Sequence, residues 1–138
     1  MRIENLGINK SEPTSRLSIP SSFVTTDAAI SSDVLQVILK RVADRTFNMV
    51  SVDSDTSTND TLCIMASGLA ENVEITDINS EEAADFEVLL EYVCKYLARK
   101  MAADGEGASK LLECRIRNCE SVATARILAK SVINSPLV

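Results

Sequence analysis

The longest regular pattern in the chain is an apolar stripe that runs from Phe86 to Met101. Its members recur at steps of three and four residues: Phe86, Leu89, Leu90, Val93, Leu97 and Met101. This spacing is typical of one face of an α-helix. Asn79 and Glu82 form a capping pair before the stripe, and Gly105 is a stop signal after it. We therefore predict a long helix whose apolar face packs in a core.

Two shorter helical patterns lie on either side of the long one. A helical spacing of apolar residues predicts the first helix, which begins at Asp33 and ends near Arg45. Asp33 and Gln36 are its capping pair. The residues of its apolar face are Val34, Leu35, Ile38, Leu39 and Val42. A third helix is predicted from Ser121 to Val132. Its inward residues are expected to be Val122, Ala125, Leu128, Ala129 and Val132.

Strand-like runs separate these helices. They cover residues 23–28, 47–52 and 61–67, the last closed by Gly68, and residues 110–117 alternate apolar and charged side chains. Residues 71–79 form a polar connection that we expect to be a solvated loop. The order is β-α-β-loop-β-α-β-α, which predicts an α/β fold with a mixed sheet covered by helices.

Charge and hydropathy exclude two classes of partner. The formal net charge of −6 argues against nucleic acid, because that affinity rests on lysine and arginine neutralising phosphates. No apolar run approaches the roughly 20 residues that a membrane span requires, and the first residues lack the apolar region of a secretory signal. We expect a cytoplasmic protein with neither nucleic acid nor membrane as its partner.

Cysteine and histidine usage limits the available chemistry. The four cysteines, Cys63, Cys94, Cys114 and Cys119, fall on apolar or strand-like positions and are predicted to be reduced, buried thiols. Cys114 and Cys119 are too far apart for a CxxC pair, and the chain has no histidine. We expect no metal site and no cofactor. Catalysis by Ser-His-Asp or Cys-His groups is excluded as well.

A dense polar loop occupies residues 52–61. Its alternating oxygen-bearing residues, Asp53, Asp55, Ser57 and Asn59, resemble the first half of an EF-hand calcium loop. Thr58 stands where that loop needs glycine, and Ile64 stands where it needs a bidentate glutamate. The alternative is a corner whose hydroxyls and carboxylates hydrogen-bond to their own backbone.

Glu106 lies between Gly105 and Gly107, where the long helix is predicted to end. Two glycines allow the backbone to approach a ligand closely, and a carboxylate held there could pair with a substrate ammonium group. The other interpretation is an ordinary turn after the helix.

Five stretches, taken in order and spacing, resemble the ornithine acetyltransferase family of arginine biosynthesis, also called glutamate N-acetyltransferase. They are FVTTDA at 23–28, TFN at 46–48, VDSDTSTNDT at 52–61, DGEGASK at 104–110 and NSPLV at 134–138. The resemblance covers about residues 23–138 and corresponds to an internal part of the family's chain, around the start of its β subunit. Ser54 replaces a family glycine, and Ser109 replaces the usual threonine.

The resemblance implies a partial ornithine-acetyltransferase-like fold and a defined reaction. Members of the family cut their precursor before a threonine, which takes acetyl from N-acetylornithine as an acyl-enzyme and passes it to glutamate. Glu106 matches the family's substrate-binding glutamate. Counting back from Phe23 to the nucleophile position reaches Ile19, and the neighbours of Thr14 do not reproduce the family context, so no catalytic residue is matched. The oxyanion-stabilising residues of the family belong to its upstream subunit.

Residues 1–22 are predicted to be an atypical N-terminal arm without a sustained pattern. Residues 23–138 are predicted to form the family domain, truncated at its C-terminus because the chain ends on apolar residues. The functional hypothesis is a piece of a glutamate N-acetyltransferase that is inactive alone. The alternative is a non-catalytic assembly module that pairs with itself, as a homo-oligomer, or with a complementing upstream subunit.

Overall fold

In the part of the chain that the structure describes, three strands form one mixed sheet in the order β1-β2-β3, and three α-helices accompany it. In the computed structural model, the described residues are 3–5, 21–51, 61–104, 109–135 and 137. The elements in chain order are β1 Ile3–Asn5, β2 Ser21–Thr26, α1 Ser32–Arg45, a 3₁₀ helix Phe47–Met49, β3 Thr61–Ala66, α2 Glu81–Ala103 and α3 Val122–Ile133. The α/β fold and its mixed sheet are therefore confirmed.

Strands β2 and β3 are parallel neighbours joined by α1. Val24 pairs with Ile64, and Phe23 pairs with Cys63. Successive side chains of a strand point to opposite faces. Val24 is fully buried beneath the helices, whereas Phe23 is 41% exposed on the other face. The helices therefore cover one face of the sheet.

Helix α1 is capped by Ser31 rather than by the predicted pair of Asp33 and Gln36. The Ser31 hydroxyl accepts a hydrogen bond from the Val34 N–H at 3.5 Å, and Asp33 lies in the first turn. The apolar face is as predicted, with Val34, Ile38 and Val42 buried. The predicted end at Arg45 is confirmed.

Helix α2 also starts one residue from its predicted cap. The Ser80 hydroxyl accepts from the Ala83 N–H at 3.1 Å, while the Asn79 N–H donates to the Asp77 carboxylate. The buried face is made by Ala83, Phe86, Leu90, Cys94, Leu97 and Ala98. Leu89, predicted to be inward, is 46% exposed, so the buried face is rotated away from it.

The connection before α2 is less solvated than predicted. Its carboxylates are exposed, but Ile75 is buried and bridges to Ile30 in parallel. The Asn72 amide accepts from the Ala29 N–H at 2.9 Å and donates to the Ala29 carbonyl at 3.0 Å. These bonds hold the connection against the end of β2.

The predicted strand at residues 47–52 is wrong for its described residues, 47–51, because the chain turns instead of extending after α1. The Thr46 hydroxyl donates to the Val42 carbonyl at 2.7 Å and closes the helix. The N–H groups of Met49 and Val50 then donate to the carbonyls of Thr46 and Phe47, which gives the 3₁₀ helix. A short apolar run does not distinguish strand from buried helix by its period.

The predicted strand at residues 110–117 is also wrong, since its described residues, 110–117, form no ladder. Cys114 and Ile116 are half-buried while their neighbours are exposed, but Leu112, also predicted inward, is 53% exposed, so the alternation is present only from Glu113 onward. No described strand lies beside the segment to supply ladder hydrogen bonds, and alternation alone does not make a strand.

Helix α3 has the predicted bounds to within one residue, with the Ser121 hydroxyl accepting from the Thr124 N–H at 3.0 Å. Its predicted inward face is confirmed at Ala129 but wrong at Val122 and Leu128. Ala129 is buried, but Val122 is 87% exposed and Leu128 is 46% exposed. The described part of the chain offers α3 little surface to pack against.

The N-terminal region contributes one strand that was not predicted. Strand β1 pairs antiparallel with β2, with Ile3 opposite Thr26 and Asn5 opposite Val24. Strand β2 begins at Ser21, inside the predicted arm. The division of the chain at residue 22 stays a prediction.

Leu90 and Leu89 give a matched test of the helix orientation. We expect Leu90→Ala to lower the free energy of unfolding by about 2–5 kcal/mol, because it leaves a cavity in a fully buried site. Leu89→Ala should cost less than about 1 kcal/mol, since that side chain is already 46% in solvent. Urea titrations of both variants measure the difference. Equal costs would place α2 in a different rotation.

Candidate functional site

The starts of β2 and β3 lie side by side at one edge of the sheet. Ser21, the first residue of β2, is paired with Thr61, the first residue of β3. The chain therefore enters both strands at the same edge, which we call the entry edge. Ile19, which the family resemblance predicts to stand at the nucleophile position, precedes Ser21 by two residues in the sequence, and the polar loop precedes Thr61. The rest of that loop, residues 52–60, lies outside the described residues.

Both long helices run toward this edge. Helix α1 leaves the far end of β2 and returns, so Arg45 and the 3₁₀ helix lie at the entry edge. Arg41 contacts Glu87 at 3.4 Å, and Arg45 contacts Glu91 at 2.9 Å, so the two helices advance together and are parallel.

Helix α2 continues well past the end of α1. From Glu91, level with Arg45, it runs a further 12 residues to Ala103. At a rise of 1.5 Å per residue this is about 18 Å. Asp104, which caps the helix, is thus carried beyond the entry edge. Glu106, the predicted substrate contact, follows Asp104 and lies outside the described residues, so its role stays a prediction.

The charged side chains between α1 and α2 form ion pairs with one another. Arg45 also contacts Glu87, and this hydrogen bond raises the pKa of Arg45. Lys95 contacts Glu91 at 2.6 Å, and its hydrogen bond, together with Arg45, holds the pKa of the Glu91 carboxyl below its usual range. Groups engaged in this way fix the direction of α2 and are poor candidates for catalysis.

The segment that follows the double-glycine stretch is tied to α2 by an ion pair. Glu113 contacts Arg99 at 2.9 Å and also accepts from Arg115, which lowers the pKa of Glu113. Helix α3 then reaches the 3₁₀ helix, where the Arg126 Nε donates to the Met49 sulfur at 3.0 Å. The last third of α2, the segment around Glu113 and α3 therefore gather at the end of the molecule that holds the entry edge.

Two of the motif stretches are structural where they are described. The Thr26 hydroxyl accepts from the Ala28 N–H at 3.2 Å and shapes the turn after β2. Thr46 is buried and bonded to its own helix. Asn72, which clamps Ala29, was missed because a single asparagine in a polar connection carries no distinguishing pattern.

The described residues add little further chemistry. Within them, no cluster of three or more cysteines or carboxylates could hold a metal ion. None of the helices traced there combines the length and apolar character needed to cross a membrane. All four cysteines are free, but only Cys94 is buried and the other three are half-buried, so the prediction of buried thiols is wrong for Cys63, Cys114 and Cys119.

The parallel β2-α1-β3 unit, with α2 packed beside α1, defines a small α/β domain. A family model described as the ArgJ family matches residues 21–138. The arginine biosynthesis bifunctional protein ArgJ of Lactococcus lactis subsp. lactis is 45% identical over 117 residues, which are 85% of this chain and 29% of that protein. The ArgJ protein of Caldanaerobacter subterraneus subsp. tengcongensis is 48% identical over 117 residues, which are again 85% of this chain and 29% of that protein.

A solved structure gives the same result. The crystal structure of the arginine biosynthesis bifunctional protein argJ from Bacillus halodurans superposes with a TM-score of 0.80 at 43% identity. The superposed residues are 86% of this chain and 55% of the Bacillus halodurans chain. The chain belongs to the ArgJ family, and the family resemblance of its motifs is confirmed. It spans less than a third of the length of these two curated relatives.

Cys94 should be chemically distinct from the other thiols. Burial raises the pKa of the Cys94 thiol to about 11, so at pH 8 only about one molecule in a thousand carries the reactive thiolate. We expect iodoacetamide to modify Cys63, Cys114 and Cys119 in the folded chain and Cys94 only after denaturant is added. Peptide mass mapping measures this. Modification of Cys94 at the rate of Cys114 would show that the α2 core is open.

The stabilising effect of Glu91 should depend on pH. Its folded-state pKa is lowered, so its contribution is present above the unfolded value of about 4.5 and is lost as the pH falls through the folded value. Glu91→Gln should therefore reduce the unfolding free energy at pH 7 and have almost no effect below the folded pKa. Urea titrations across this range, with exposed Glu120→Gln as control, measure the effect. A cost that is constant with pH would contradict the assignment.

Proposed function

We propose that this chain forms part of a glutamate N-acetyltransferase site, in which acetyl passes from N-acetylornithine to glutamate through a threonine acyl-enzyme. In this proposal the chain supplies the scaffold and one substrate contact, and it does not catalyse the reaction alone. The observation that carries the proposal is the family match over residues 21–138. This range includes the polar loop at 52–61 and the DGEGASK stretch at 104–110.

Glu106 is the proposed substrate contact. Its carboxylate suits the ammonium group that N-acetylornithine and glutamate each carry, through a charge-assisted hydrogen bond. The course of α2 supports this role, because the helix carries Asp104 out at the end of the molecule where the strands begin.

The proposed inactivity follows from the reaction chemistry. Ile19 stands at the nucleophile position and has no hydroxyl group to attack an acetyl carbonyl. In the family the freed threonine's own amine can act as base for its hydroxyl, so the absence of histidine is compatible with the mechanism. Oxyanion donors commonly lower the barrier by roughly 3 to 4 kcal/mol each, and in the family they belong to the upstream subunit.

A complementing chain is the proposed partner, acting with this one in the cytoplasm. Phe23 and Met65, 41% and 48% exposed, lie on the uncovered face of the sheet, and Val122 and Ile127 of α3 are 87% and 70% exposed. Apolar surface of this kind favours burial against another polypeptide. The same observation supports the second candidate function, a non-catalytic assembly module of the family.

A segment exchange tests the proposal. Residues 23–138 of this chain would replace the matching segment of the Lactococcus relative, which keeps that protein's own upstream and downstream parts. We expect the chimera to transfer acetyl from N-acetylornithine to glutamate. Glu106→Gln in the chimera should lower kcat/KM about 10- to 100-fold, the effect of losing a hydrogen bond to a charged group.

Two controls make the exchange decisive. Glu120→Gln removes an exposed carboxylate from the same segment and should leave kcat/KM unchanged. The matching glutamate-to-glutamine change in the unmodified relative shows the effect that the family residue has in its own context. A folded chimera with no activity, or one indifferent to Glu106→Gln, would refute the assignment of Glu106.

A further inference from the structure

The outer face of α2 carries large apolar side chains in solvent. Phe86, Leu90, Cys94 and Leu97 are buried on one side of this helix. On the opposite side Val88 is 67% exposed, Leu89 46%, Tyr92 77% and Tyr96 55%. Four large apolar residues on one face of a helix form a contiguous patch, which marks an interaction surface more often than isolated apolar residues do.

The patch lies between charges of opposite sign. Asp85 is exposed one helical turn before Val88, and Arg99 is exposed one turn after Tyr96. Glu81 and Lys100 extend the acidic and basic ends, and the Lys100 ammonium lies 5.7 Å from the centre of the Tyr96 ring. We call the face formed by Asp85, Val88, Leu89, Tyr92, Tyr96 and Arg99 the outer stripe.

Apart from Leu89, whose counterpart three residues after Tyr92 is Lys95, the outer stripe is symmetric about Tyr92. Val88 and Tyr96 each lie four residues from it, and Asp85 and Arg99 each lie seven residues from it. Steps of four and seven keep residues on one face of a helix. An antiparallel copy of α2, related by a two-fold axis through Tyr92, therefore brings Asp85 opposite Arg99 and Val88 opposite Tyr96.

We propose that α2 pairs with α2 of a second copy of this chain, antiparallel and centred on Tyr92. Such an interface uses the same surface on both copies, and each opposing charge pair then occurs twice. A partner of a single charge sign would match only half of the outer stripe. The proposal does not depend on acetyl transfer or on Glu106.

The charges at the two ends are available for this pairing. Among the described residues no ion pair engages the Asp85 carboxylate. Arg99 contacts Glu113 at 2.9 Å, but its side chain remains 59% exposed. A guanidinium group has five N–H donors, so Arg99 can keep Glu113 and accept a second carboxylate.

The expected dimer is weak and reversible. Helix α2 has 23 residues, so one helix pair buries less than the roughly 800 Å² per partner of a standard interface. A dissociation constant on the order of micromolar is expected for a contact of this kind. Sedimentation velocity on the full chain, over about two decades of concentration around that value, should show monomer converting to dimer.

Charge reversal provides the test of register. Asp85→Arg places like charges at both ends of the symmetric interface, and so does Arg99→Asp; each should weaken self-association at least about tenfold. When the two variants are mixed, every opposing pair becomes attractive again, so a heterodimer should form with about the wild-type affinity. Glu120→Arg, an exposed reversal outside α2, is the control and should leave association unchanged.

Each other outcome overturns the proposal. A wild-type chain that stays monomeric over the whole range has no such interface. A dimer that resists both reversals, or variants that fail to associate on mixing, would assign the contact to another surface, such as α3. Circular dichroism checks that the variants fold, and Tyr92→Ala at the axis replaces any charge variant that does not; undiminished association of Tyr92→Ala would also refute the pairing.

Discussion

The parallel pairing of β2 with β3, held beneath α1 and α2, is the constraint on which the rest of the structure depends. It can persist because Val24 on the sheet, Ile38 on α1 and Phe86 and Leu90 on α2 are fully buried together. Burial of one such side chain is worth about 1.5–3 kcal/mol, whereas an exposed ion pair is worth about 0–1 kcal/mol. The core therefore decides that α2 packs on α1, and the contacts of Arg41 and Arg45 with Glu87 and Glu91 help to fix its direction.

The same pairing links the fold to the proposed function. Because β2 and β3 are parallel, Ser21 and Thr61 are neighbours. The FVTTDA stretch at 23–28 and the polar stretch at 52–61 therefore adjoin the same edge of the sheet. Because α2 is parallel to α1 and longer, its end projects past that edge. We propose that residues far apart in the sequence meet at this edge to form one site.

The sequence predicted the helices better than the strands for a physical reason. The helical stripes of α1 and α2 are local, and each spans several turns, so Ile38 and Leu90 could be assigned to the core from spacing alone. Strands need partners. Residues 110–117 alternate only in their second half and form no ladder with a described strand. Residues 47–50 have the apolar content of a strand, but their backbone bonds form a 3₁₀ helix. The exposed face of α3 could not be foreseen either, because periodicity identifies an apolar face and says nothing about what covers it.

The candidate site was found through motifs rather than periodicity. Glu106 was singled out by the glycines on either side and by a family match, and neither requires knowledge of the fold. Glu106 lies outside the described residues, and its role stays a prediction. The clamp of Asn72 on Ala29 shows the converse case, a contact that only the three-dimensional structure reveals.

In our proposal this chain carries a substrate contact and a scaffold but not the reacting group. An acetyl-transfer assay on the purified chain alone, with N-acetylornithine and glutamate, tests that claim most directly, with intact-mass analysis of the same sample to detect cleavage or acetylation. We predict no turnover above background and an uncleaved, unmodified mass. Turnover that disappears in Glu106→Ala, or a chain cut within residues 1–22, would contradict the account and show that a nucleophile is present.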